Sequence, residues 1–157
     1  MGNHQAILDA ITVVTQALAN DTLRVVYTPG KGRGVIAMRA FDIGDVIEVA
    51  PVLVVQNSDL IDQTELANYV YNWPTSDNAV AVAFGCGSLY NHSYEPNARY
   101  DKRPDDGGFG TICYTCIRPI GVGDEIVINY NGAPEDRSPM WFDLAPSTGT
   151  VTGSLER

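Results

Sequence analysis

The sequence predicts a mainly β fold of several small sheets with few helices. Two observations carry this. From Leu23 to Tyr130 the apolar residues fall into short β-branched or aromatic runs, the mark of strands rather than of a helical stripe. Between those runs stand clusters of Gly, Pro, Asn and Asp, residues that favour turns. Many short strands in succession bury their apolar faces best as small packed sheets.

The elements follow in order. Ile7, Leu8, Ile11, Val14 and Leu18 recur at helical spacing between His4 and Ala19, which predicts an N-terminal helix ending at Asn20-Asp21. Arg24–Tyr27 reads as a strand, the stretch from Thr28 to Gly34 as a Gly-rich turn, and Val35–Met38 as a second strand. Phe41–Asp45 turns into a long apolar strand from Val46 to Val55. Ser58-Asp59 can cap a short helix, because a side-chain oxygen there accepts from free backbone N–H groups. Tyr69–Trp73 and Val80–Phe84 read as strands, each closed by Pro or Gly. Arg99-Tyr100 and Thr111–Thr115 bracket a polar turn at 103–108, and Gly123-Asp124 turns into a strand from Glu125 to Tyr130. The expected organisation is a helical extension at 1–20, one β domain at 21–145 and a Ser/Thr/Gly-rich tail at 146–157, a composition typical of loose termini.

Composition narrows the function. A chain of 157 residues fits one domain with a real core. The formal charge of −9 disfavours a phosphate backbone as direct ligand, so nucleic acid is not expected. It would instead attract basic peptides. No apolar run approaches the ~20 residues of a membrane helix, and the N-terminus lacks the basic start and apolar stretch of a signal peptide. A soluble protein of the cytoplasm or nucleus is therefore expected, with export to a host left open. Cys86, Cys113 and Cys116 form no disulfide framework. Cys113 and Cys116 lie three apart in a predicted strand, so they point to opposite faces and no metal site is expected.

Four features could carry chemistry. Lys31-Gly32-Arg33-Gly34 lets the backbone turn tightly or approach a ligand. It is neither a dinucleotide fingerprint nor a P-loop. The stretch Gly87–Asn97 concentrates Asn, His and Ser, and includes Asn91-His92-Ser93-Tyr94-Glu95-Pro96-Asn97. His92 has only His4 as a fellow histidine, which makes a poor metal site, and Ser93 beside it points away, which makes a poor nucleophile pair. Gly123–Asn131 reads as turn, buried strand, then polar residues. The aromatics Tyr69, Tyr71, Trp73, Tyr90, Tyr130, Trp141 and Phe142 could together line an apolar slot. Read singly, each feature has an ordinary structural explanation.

Their order is distinctive. Gly32-Arg33-Gly34, then Ala40–Glu48, then the NHS-x-x-PN stretch, then G-D-E-I-x-I-N-Y resembles the SET-domain protein lysine methyltransferases. The resemblance runs from Leu23 to Phe142 and is strongest to the compact bacterial and viral members. It implies a β-clip of small curved sheets whose knot-like crossing sets Asn91-His92 beside Asn129-Tyr130. It implies S-adenosylmethionine as cofactor, contacted by Lys31, Gly32, Arg33, Tyr69, Asn91, His92, Tyr130, Trp141 and Phe142. It assigns Tyr130 as the catalytic tyrosine, with Tyr71 and Tyr90 as walls of a lysine channel. Two departures stand out. No cysteine follows Cys116, so the zinc-binding segment that closes many members has no ligands here, and Tyr94 stands where many members have Cys.

The implied reaction is attack of a lysine amine on a sulfonium methyl. Deprotonating an ordinary lysine at pH 7 costs about 4.6 kcal/mol. An apolar aromatic channel lowers that cost by disfavouring the ammonium. The remaining work is alignment of amine and methyl in a near-attack geometry, worth up to ~7–11 kcal/mol of the barrier in favourable systems. The expected partner is a basic protein: a histone tail, a histone-like protein or a ribosomal protein. Compact members can pair, so a homodimer is compatible. The competing reading is a non-catalytic binding or scaffold module on the same fold. The substrate protein, its target lysine and the number of methyl groups are not legible.

Overall fold

A computed structural model describes residues 21–28 and 30–142. The expected N-terminal helix and the tail at 146–157 lie outside the described residues. Among the described residues nine strands follow one another: β1 (Leu23–Thr28), β2 (Gly32–Ala37), β3 (Val46–Val55), β4 (Val70–Asn72), β5 (Val80–Ala83), β6 (Asn91–His92), β7 (Ala98–Arg103), β8 (Thr111–Cys116) and β9 (Val127–Ile128). They form three sheets: the β1-β2 hairpin, a five-stranded sheet in the order β4-β5-β3-β8-β7, and the pair β6-β9. Among the described residues no helix is long and apolar enough to cross a membrane.

The long strand β3 organises the molecule. It pairs antiparallel with β8 through its first half and with β5 through its second. Ile47, Ala50 and Val52 are buried, while Val46, Val49, Pro51 and Leu53 are exposed. The irregularity between Val46 and Glu48 shifts the register and turns Glu48 into the interior. Leu23, Val35, Phe41, Ile112, Tyr114, Ile120, Ile126 and Ile128 join the buried residues of β3 in one core. Gly87 belongs to that packing. A Cβ there would stand 2.6 Å from the Ala83 Cβ, so only glycine fits.

The expected strands are present, with shifted limits. The Gly-rich turn is shorter than expected, because Gly32 and Arg33 already pair with Thr28 and Tyr27. Gly32 adopts φ 82°, a left-handed value that glycine takes without strain. Tyr69 closes a 3-10 turn (Glu65–Tyr69) and does not open a strand. The short helix is a 3-10 turn at Ser58–Leu60, and its cap is Asn57, whose side chain accepts from the Asp59 N–H at 3.1 Å. Ser58 and Asp59 lie inside the turn they were expected to cap. The strand read over Glu125–Tyr130 contracts to Val127–Ile128. Glu125 bridges to Ile36 of β2 instead, and the Asn129 side chain binds the carbonyls of Pro134 and Asp136 downstream.

The β6-β9 pair positions the site. It is parallel, with Asn91 opposite Val127 and His92 opposite Ile128. Asn97 pins it from one end: its amide donates to the Glu125 carbonyl at 2.8 Å and accepts from the Val127 N–H at 2.9 Å. Two segments 36 positions apart thus meet side by side.

Candidate active site

Asn91 and His92 are both buried, unusual for two polar residues in one short strand. The Asn91 amide donates to Glu125 Oε1 at 2.7 Å, and Glu125 Oε2 pairs with Lys31 Nζ at 3.4 Å. That bond fixes the orientation of the Asn91 amide, with its nitrogen on Glu125. Lys31 is thereby tied to the same edge.

His92 Nδ1 accepts from the Tyr130 backbone N–H at 3.1 Å. The ring proton then resides on Nε2. This atom is buried and, among the described residues, has no hydrogen-bond partner. A buried donor without an acceptor is costly, so a ligand acceptor placed there would be held well. Burial, reinforced by the positive charge of Lys31, pushes the imidazole pKa down and keeps the ring neutral. A neutral ring is what the Tyr130 hydrogen bond requires. The ring packs edge-on against Tyr94, at 4.7 Å between centroids.

Tyr130 directs its hydroxyl to the Tyr90 carbonyl at 2.8 Å. Burial first, then the negative charge of Glu125, pushes its pKa up to about 12. The phenol therefore stays protonated and acts as a donor. Tyr130 borders a cavity of about 530 Å³ that Tyr69, Tyr71, Tyr90, Tyr100 and Trp141 also line. Such a volume suits a small molecule or an extended side chain.

The walls are fixed by a hydroxyl network. Tyr71 donates to the Gly87 carbonyl at 2.7 Å, and the Tyr114 hydroxyl lies 3.0 Å from that of Tyr71. Tyr100 packs edge-on against Tyr71 at 5.1 Å. The Tyr90 ring points into the core, only 1% exposed, and donates to Glu48 Oε2 at 2.8 Å. Glu48 Oε1 accepts from the Cys86 N–H at 2.9 Å. Burial raises the Glu48 pKa, and the two hydrogen bonds oppose that rise.

The remaining sequence-derived residues stand at the rim. Arg33 donates to the Tyr69 hydroxyl at 2.9 Å, with its guanidinium 5.4 Å from the ring centroid. Trp141 stacks on Tyr130 at 6.3 Å yet is 73% exposed. Phe142 meets the edges of His92 and Tyr130, both at 6.2 Å. Around one edge the fold thus gathers Lys31, Asn91, His92, Tyr130, Trp141 and Phe142. Gly32 contributes backbone alone. Cys113 and Cys116 are separate buried thiols: Cys116 donates to the Arg118 carbonyl at 2.8 Å, and Cys113 lies 3.9 Å from the Thr115 hydroxyl.

Sequence reasoning missed Tyr100, Tyr114, Glu48 and Glu125. Tyr100 and Tyr114 are paired across β7 and β8, a relation no local pattern reveals. Glu48 carried a usable signal, as the one charged residue in an apolar strand.

Comparison with known proteins fits this geometry. Residues 32–131 match the SET domain family. The histone-lysine N-methyltransferase of Schizosaccharomyces pombe specific for H3 lysine-37 is 31% identical over 138 residues, 85% of this chain and 86% of that protein. The histone-lysine N-methyltransferase SETD7 of Halocynthia roretzi is 32% identical over 99 residues, 55% of this chain and 24% of that protein. Among solved structures, a candidate histone methyltransferase of Plasmodium falciparum superposes with a TM-score of 0.58 at 25% identity, covering 71% of this chain and 95% of that one. Arabidopsis thaliana SUVH6, solved in complex with SAM, superposes with a TM-score of 0.57 at 17% identity, covering 71% of this chain and 28% of that one.

Proposed function

The chain belongs to the SET-domain family, and on that premise we propose that it transfers a methyl group from S-adenosylmethionine to the side-chain amine of lysine in a basic protein. The observation that carries this reading is the Tyr130 hydroxyl, held on the Tyr90 carbonyl at the border of an aromatic cavity and joined through its backbone to His92.

The residues present suit the cofactor. The His92 Nε2–H is a buried donor that lacks an acceptor among the described residues, which adenine, ribose or carboxylate could supply. Asn91 Oδ1 suits an ammonium group, and Glu125 fixes the amide in that orientation. Lys31 and the backbone of Gly32 and Arg33 lie on the hairpin edge beside them, while Trp141 and Phe142 flank Tyr130. When bound, the cofactor supplies an activated methyl group. Tyr130 orients, its high pKa making it a donor and no base. Tyr71, Tyr90 and Tyr100 border the space that receives the lysine. The aromatic faces of Tyr71 and Tyr100 disfavour the ammonium, and the neutral amine they favour is the nucleophile. Excluding water from this space strengthens each hydrogen bond within it.

The curated relatives act on histones by name. A histone or another basic protein is the substrate class proposed here, and the net charge of −9 would draw such a partner in. Incubation with radiolabelled S-adenosylmethionine and core histones tests the reading. Label on histone lysines is the expected result. Heat of cofactor binding without label would favour a non-catalytic module, and neither heat nor label would overturn the assignment.

A further inference from the structure

Of the ten lysines and arginines in the chain, only Lys31 and Lys102 are lysine. Lys31 is engaged with Glu125 at the hairpin edge. Lys102 is placed otherwise. It lies on β7, two residues after Tyr100, so both side chains share one face of the sheet. Their cross-strand partners, Ile112 and Tyr114, are fully buried, which identifies that face as the inner one.

Lys102 lines the same cavity as Tyr71, Tyr100 and Tyr130. Its amine sits 5.9 Å from the centre of the Tyr100 ring. Among the described residues no carboxylate pairs with it. The adjacent Asp101 is occupied by Arg99 at 3.6 Å. A half-buried lysine without a counter-ion, bordering an aromatic cavity, has the surroundings a substrate lysine would have. Burial also lowers its pKa, raising the fraction of neutral amine.

We propose that Lys102 is a methyl acceptor within its own protein, modified in cis from the cavity it lines. This rests on the methyltransferase reading above. In the step, the ammonium first loses a proton to solvent. The Nζ lone pair then forms a bond to the methyl carbon of S-adenosylmethionine. The carbon–sulfur bond breaks with its electron pair going to sulfur, which leaves a neutral thioether and a methylammonium cation. The positive charge passes from sulfur to nitrogen, so the step balances. The side chain must swing from the Tyr100 face toward Tyr130, a rotamer change on a long flexible stem.

The test incubates the full chain with S-[methyl-¹³C]adenosylmethionine, alone and beside core histones, and maps the label by fragmentation mass spectrometry. Label on Lys102 is expected, absent in K102R, with a rate per molecule unchanged over a hundredfold range of protein concentration. A rate that rises with concentration would show transfer between copies and overturn the cis step. Labelled histones with unlabelled Lys102 would overturn the inference and leave the methyltransferase reading intact. No label on either would remove both. An independent readout is the ¹³Cε titration of Lys102 by NMR in the absence of cofactor, assigned by its loss in K102R. A midpoint below the ordinary lysine range is expected, and an ordinary midpoint would count against the inference.

Discussion

The Tyr130 hydroxyl donates to the Tyr90 carbonyl at 2.8 Å, while the Tyr90 hydroxyl donates in turn to the buried Glu48 at 2.8 Å. The side chain at the proposed reaction centre is thus held by the backbone of a residue whose own ring is anchored in the core. This linkage ties the chemistry to the packing, and the first predictions test each end of it.

Tyr130→Phe removes the donor and keeps the ring that stacks on Trp141. Cofactor affinity, read by calorimetry, is expected to stay within about twofold. The transfer rate is expected to fall on the order of a hundredfold, the usual effect of losing one aligned donor. An unchanged rate would remove Tyr130 from the site.

Tyr90→Phe leaves Glu48 Oε2 without its donor in the interior. A loss of about 1–3 kcal/mol is expected by urea denaturation. The pH dependence has a definite sign. The folded pKa of Glu48 is raised by burial, so its contribution is full below the ordinary glutamate pKa and is lost as pH rises through the folded value. Stability of the native chain relative to Glu48→Gln should therefore decline across that window. A flat difference would show that Glu48 is solvated.

His92 titrates with the opposite consequence. Its folded pKa is depressed, so its contribution is present above the ordinary histidine pKa and is lost as pH falls through the folded value. Protonation of Nδ1 would also break the bond from the Tyr130 N–H. Cofactor affinity should weaken on acidification through that window. In His92→Asn the affinity should be lower throughout and lack that acid limb. An ordinary midpoint for the His92 ring by NMR would contradict this.

Glu125→Ala releases both the Asn91 amide and Lys31. A rise in cofactor Kd of about tenfold is expected, equivalent to ~1.4 kcal/mol. The maximal rate at saturating cofactor should change little. A fall in rate without a change in Kd would place Glu125 in the chemistry and not in cofactor binding.

Periodicity and turn residues determined much of this molecule without coordinates. The long apolar run of β3, the glycine turn before β2 and the aromatic strand at β4 are local properties, carried by residue types that stand next to one another in the chain. The order of the Asn91-His92 and Asn129-Tyr130 segments was equally legible, because it is a property of the chain alone. Limits were less so: Asn57, not Ser58 or Asp59, caps its turn because that choice depends on backbone angles. Only the tertiary structure decided which residues meet. The parallel contact of Asn91-His92 with Val127-Ile128, the Glu125 clamp on Asn91, the inward turn of Glu48 and the entry of Tyr100 and Lys102 into the cavity all join residues distant in sequence. Such contacts depend on how separate sheets pack and where a register shifts, and no local pattern encodes that.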